Sequence, residues 1–145
     1  MNRAPLLGRT AYGTWQHIGT RWADNDMYGH VNNVIYYSWF DTVVNRWLVE
    51  AGLLALKDDP VIGLVVQSSC RYASPLAYPD PVEIGLLADH VGTSSVTYRL
   101  GAFAHGADEA AAEGLFTHVY VDAATRRPAP LADHWRVALA RLASR

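Results

Sequence analysis

The chain reads as an α+β fold in which a five-stranded antiparallel sheet wraps around one long central helix and a short helix closes the C-terminus. Three observations lead there. One is a single extended helical periodicity, with Tyr36, Tyr37, Phe40, Val43, Val44, Trp47, Leu48 and Ala51 falling at spacings of three and four and so forming one broad apolar face. The second is that the other apolar stretches but the last are short and either alternate or are β-branched, the period of strands. The third is size: 145 residues, half of them apolar and 18% charged, make one domain able to bury about 68–70% of the unfolded surface. A lone helix among that many strands satisfies itself by lying across one face of the sheet.

Each element follows in order within one domain, 1–145. Residues 1–10 read as a loose arm, and Tyr12 to Trp22 alternates well enough to be a first strand. The helix runs about eighteen residues from Val34, roughly 27 Å at 1.5 Å per residue, until Gly52 stops it. Val61 to Ser69, VIGLVVQSS, follows the turn signal DDP and reads as a strand buried on both faces, continuing through Cys70, Arg71 and Tyr72. Pro75, Pro79 and Pro81 then break the chain into a corner. Glu83 to Ala104 reads as a hairpin turning near Gly92, and His105 to Glu113 as a turn or a bulged entry to the strand Leu115–Asp122. Pro130 to Asp133 opens the amphipathic C-terminal helix.

Composition narrows the function classes. The formal charge is −2 and the longest basic run is the pair Arg126-Arg127, so the footprint of a nucleic-acid binder is missing. Lys57 is the only lysine beside eleven arginines, which reads as codon bias rather than function. The single cysteine, Cys70, has no disulfide partner and no Cys/His grouping around it, which points to a reducing compartment and an inert core thiol. The first ten residues hold only a two-leucine apolar patch and no stretch reaches 18 uninterrupted apolar residues. The expectation is a cytoplasmic protein without a membrane or nucleic-acid partner.

The densest chemistry precedes the helix. Arg21 to Asp41 reads RWADNDMYGHVNNVIYYSWFD and packs Asp24, Asn25, Asp26, Gly29, His30, Asn32 and Asn33 into one connection. A plain loop needs one or two such residues. Asn32 suits the N-cap position, and Asp24 suits a brace pairing with Arg21. Asp26 has two readings: a turn residue bonding its own backbone, or a reactive carboxylate. His30 likewise is either a loop-bracing hydrogen bonder or a general base.

The run DNDMYGHVNNVIYYSWF resembles the signature of the hotdog-fold acyl-CoA thioesterases of the 4-hydroxybenzoyl-CoA thioesterase family. RYASPLAYPDPVEI resembles the family's Tyr-x-x-Pro corner with the following Asp-x-Val-Glu-Ile, and GTSSVTYRL and FTHVYVDAATRRPAPL resemble its last hairpin and closing strand. The resemblance implies a hotdog fold, assembly into a homodimer or homotetramer, acyl-CoA bound between subunits, no metal, and no cofactor beyond the CoA of the substrate. Thioester hydrolysis needs a group that polarises the carbonyl and a carboxylate that attacks it or activates water. The unpaired N–H groups at the helix start supply the first. By resemblance the carboxylate is Asp26, nucleophile or general base, and the oxyanion donor is the backbone N–H of Asn33, with Gly29 folding the turn between them.

Ser94, Ser95 and Arg99 are candidates for contact with pantetheine or phosphates, although a serine pair after a glycine is also an ordinary strand start. No GxGxxG or P-loop pattern occurs, so the CoA phosphates fall to arginines. Relatives acting on hydroxybenzoyl-CoA tend to place aromatic residues where this chain has Asn32 and Asn33, which favours an aliphatic acyl group. Two other functions compete. Hotdog hydratases carry an Asp-x-Asn-x-x-His run, whereas His30 follows Asp26 by four and Asp24 by six, so the spacing argues against hydration of an enoyl thioester. A non-catalytic acyl-CoA sensor acting through protein contacts stays open.

Overall fold

The helical periodicity becomes α1, Asn33–Glu50, in a computed structural model that describes residues 4–55 and 57–143. Its start is set by Asn32, whose side chain accepts from the Val34 N–H at 3.3 Å, satisfying one of the orphan donors of a first turn. Its end is followed by Gly52 at φ +73°, a left-handed position that favours glycine. Tyr36, Trp39, Phe40, Val43, Val44 and Leu48 are buried, while Tyr37 and Trp47 are half-buried and Ala51 is exposed, so the buried stripe is narrower than the apolar face the sequence suggests.

Five strands, β1 (Thr14–Ile18), β2 (Val61–Tyr72), β3 (Val82–Val91), β4 (Ser95–Ala104) and β5 (Ala112–Asp122), pair antiparallel in the order β1-β3-β4-β5-β2. This is the hotdog arrangement, with α1 lying over β3, β4 and β5 and a short helix α2 (Asp133–Arg141) after the sheet. The β3–β4 hairpin runs in register from Val82↔Ala104 to Val91↔Val96 with one shift between Ala88 and His90. Close packing of helix on sheet relies on Gly114 of β5, where a Cβ would stand 2.6 Å from the Phe40 ring. Beneath α1 a polar chain crosses the core: the Tyr98 and Tyr120 hydroxyls are 2.8 Å apart, and Tyr120 lies 3.4 Å from His118 Nδ1.

Four sequence expectations change. The first strand is only Thr14–Ile18; Trp22–Asp24 is instead a single 3₁₀ turn. β5 begins at Ala112, three residues before the expected Leu115, because the tract before it pairs with β2 and β4. Residues 4–10 are not a loose arm: the Leu7 N–H donates to Glu113 Oε2 at 3.0 Å, and Arg9 bonds Glu83 at 2.8 Å and the Ala107 carbonyl. Residues 1–3 of that arm lie outside the described residues. β2, finally, is not buried on both faces. It is the edge strand beyond β5, and residues 63–69 are exposed. A β-branched run gives the same sequence signal whether its faces are covered or open.

Candidate active site

Three ties hold the polar turn in one shape. Arg21 wraps Asp24, its N–H donating to Oδ2 at 2.8 Å and its guanidinium Nε and Nη2 to Oδ1 at 3.0 and 2.8 Å, with Asp24 only 1% exposed. The Asp24 carbonyl then accepts from the Asn32 N–H at 2.8 Å, linking the brace to the cap of α1. Across the turn, Val31 donates to the Leu76 carbonyl at 2.7 Å, and the Asn25 side chain accepts from the Tyr78 N–H at 3.0 Å. The start of α1 is thereby fixed against the proline corner. Asp24 is a brace, the role its pairing with Arg21 suggests from sequence.

At the tip, Asp26 donates its N–H to the His30 carbonyl at 2.8 Å and accepts at its own carbonyl from Gly29 at 3.1 Å. Gly29 sits at φ +78° with no atom within 4 Å of the place a Cβ would take. Conformation rather than space therefore calls for glycine there. Asp26 Oδ1 accepts from the Tyr28 N–H at 2.8 Å, with the His30 N–H farther off at 3.5 Å. Oδ2 bonds to no described residue. One oxygen of this carboxylate braces the turn and the other is open.

Asp26 lines a cleft of about 510 Å³. Its lining comes from two segments, Asp26, His30, Val31, Asn33 and Tyr36 at the turn and start of α1, and Tyr72, Ala73, Ser74 and Pro75 from the end of β2 and the corner after it. Asn33 is the first residue of α1, so its N–H has no partner within the helix. Among the described residues it has no partner outside the helix either. The lining of the cleft thus includes a carboxylate residue with one oxygen unbonded and the first residue of an eighteen-residue helix, whose N–H is unpaired at the positive end of the dipole. Such an arrangement can supply negative charge to an electrophilic carbon while receiving the oxygen attached to it.

Ser94, Ser95 and Arg99 are not at this cleft. The Ser94 carbonyl accepts from the Tyr120 N–H of β5, and the Ser95 carbonyl from the Gly92 N–H across the β3–β4 turn, each at 2.8 Å. Arg99 is engaged inside the fold, its Nε on Asp89 at 2.9 Å and its Nη1 on Glu113 at 2.7 Å. Strand alternation puts it on the sheet face away from α1, since Tyr98 and Leu100 beside it join the core under the helix.

Sequence reasoning missed Tyr72 as a wall of the cleft. Its place in the Tyr-x-x-Pro corner was the available signal, because that corner must approach the helix start. Burial first, and the neighbouring Cys70 second, raise the Tyr72 phenol above its ordinary pKa. Burial also raises the half-buried Cys70 thiol, which disfavours the reactive thiolate. Among the described residues no group of three or more His, Cys, Asp or Glu is placed to hold a metal ion, and no helix is long and apolar enough to cross a membrane.

Comparison with known families settles the lineage. A model described as the thioesterase-like superfamily matches residues 20–139. The chain belongs to that superfamily. Among solved structures, the PA5185 protein of Pseudomonas aeruginosa strain PAO1 is 50% identical, with a TM-score of 0.90 over 94% of this chain and 96% of that one. The PA2801 protein of the same species is 31% identical, with a TM-score of 0.79 over 86% and 96%. The YsmA protein of Bacillus subtilis is 22% identical over 89 residues, a match that spans 61% of this chain and 60% of that protein.

Proposed function

We propose that this protein is an acyl-CoA thioesterase hydrolysing an aliphatic acyl-CoA to the free acid and CoA. The observation that carries this reading is that Asp26, with one carboxylate oxygen unbonded among the described residues, and Asn33, with its N–H unpaired there, line one cleft. The thioester carbonyl oxygen is received by the Asn33 N–H, where the helix dipole stabilises the charge that develops on it. Asp26 either attacks the carbonyl carbon, forming an anhydride that water then opens, or takes a proton from the water that attacks. In both cases the C–S bond breaks, the thiolate of CoA leaves and takes up a proton, and the acyl group gains the oxygen of water. His30, at the same cleft, is the second candidate base. The residue set works without a cofactor, CoA entering only as part of the substrate.

The same reading includes a homodimer with acyl-CoA between subunits. Support comes from β2: as an edge strand it leaves one row of backbone N–H and C=O groups without a neighbour, and Leu64, Val65 and Val66 are 36%, 49% and 60% exposed. A long, apolar, open edge pairs readily with another strand. Sedimentation is expected to give at least a dimer; a monomer active at nanomolar concentration would overturn the shared site.

A panel of aliphatic and aromatic acyl-CoA thioesters, followed by release of free thiol, tests the activity. The expected result is turnover that is fastest on an aliphatic member. Binding of acyl-CoA with no thiol release across the panel would make the protein an acyl-CoA binder and not a hydrolase.

A further inference from the structure

The last residue of β2, Tyr72, also lines the cleft. The Tyr72 hydroxyl donates to the Asn33 carbonyl at 3.0 Å, and its ring stands edge-on to Tyr36 with centroids 5.2 Å apart and planes at 83°. Core packing does not explain this placement, since Tyr72 is 44% exposed while Tyr36 beneath it is buried. The bond joins two separate elements. On one side is the end of β2, paired through Tyr72↔Ala112 to β5 and anchored by the ion pair of Arg71 with Glu113 at 2.9 Å. On the other is the first turn of α1, whose opening N–H is the unpaired donor at the cleft.

We propose that Tyr72 is a positioning residue for thioester hydrolysis: by bonding the Asn33 carbonyl it fixes the rotation of the first turn of α1, and with it the aim of the Asn33 N–H into the cleft. The inference rests on the thioesterase reading. Tyr72 touches no reacting atom in this account; its hydroxyl acts through the peptide group next to the oxyanion donor. A phenol carries its proton throughout the neutral range, so the hydroxyl stays a donor there. A donor aimed at charge that develops only in the transition state affects kcat more than KM.

Tyr72→Phe keeps the ring and removes the hydroxyl. The expected result is a fall in kcat of about five- to tenfold with KM within about twofold, an unchanged melting temperature, and amide exchange several-fold faster at Val34 and Ile35 but not at Val43 and Val44. Tyr72→Leu, which also removes the wall, is expected to raise KM in addition. If wild-type protein turns over thioesters and Tyr72→Phe matches it in kcat and in exchange at Val34 and Ile35, the positioning role is wrong and the thioesterase reading stands. A rise in KM alone overturns the role equally, since it marks a substrate contact. If the wild-type protein turns over no thioester, the thioesterase reading fails and the positioning role falls with it.

Discussion

Asp24 and Asp26 stand two residues apart and have opposite surroundings: Asp24 is sealed against Arg21 at 2.8 Å, while Asp26 lines the cleft and keeps one carboxylate oxygen unbonded among the described residues. Sequence alone offers two similar carboxylates. Folding assigns one to the scaffold and leaves the other available.

Asp24→Asn should therefore act on stability and barely on chemistry. The asparagine still accepts from the Arg21 N–H but loses the charge that holds the guanidinium. Because Arg21 is 70% exposed at its side chain and can rehydrate, the expected loss is about 1–2 kcal/mol, with kcat kept within roughly threefold. Thermal melting and steady-state rates on the same preparation check this.

The helix, its asparagine cap and its glycine stop were legible in the sequence because they are local: period, cap and left-handed turn all lie within twenty residues of one another. The features that were not legible depend on distant partners. Nothing near Leu7 announces that its N–H meets Glu113, 106 residues away, so the arm read as loose. The alternation around Arg99 could not show that Asp89 and Glu113 flank it, which is why it read as free for phosphates. The β-branched run of β2 read as interior because periodicity records apolar residues and not what covers them. At the cleft, Asp26, His30 and Asn33 stand out in the sequence by the density of polar residues before the helix, whereas Tyr72 joins the lining only through the return of β2 to the helix start.

His118 makes stability pH-dependent. Its ring is 3% exposed, and burial holds its pKa below the usual histidine value, with Asp41 opposing that shift; Tyr98 and Tyr120 are its other polar neighbours. The folded state thus prefers neutral His118, while the unfolded chain takes a proton below about pH 6.5. Stability should be level above that pH and decline as pH falls toward the lower folded value, by at most about 1.4 kcal/mol per pH unit. Denaturant midpoints between about pH 5 and 7.5 should show this slope in the wild type and lose it in His118→Leu. An equal slope in both proteins would place the effect elsewhere.

Gly114→Ala tests the contact of helix and sheet. The new methyl would lie 2.6 and 2.7 Å from two carbons of Phe40, which is fully buried. One of them must move, at a cost of about 1–3 kcal/mol, visible as a lower melting temperature. An unshifted melt would mean that Phe40 repacks freely.

Asp26→Asn is the most direct measurement of the central claim. It keeps the shape of the side chain and the acceptor for the Tyr28 N–H while removing the charge. If Asp26 is the nucleophile or general base, kcat on the best acyl-CoA should fall at least about a hundredfold, the lower range for losing a positioned acid–base group, with the melting temperature little changed and Asp24→Asn still active. Near-wild-type turnover in Asp26→Asn, with activity abolished instead in His30→Ala, would give the base role to His30 and contradict the account.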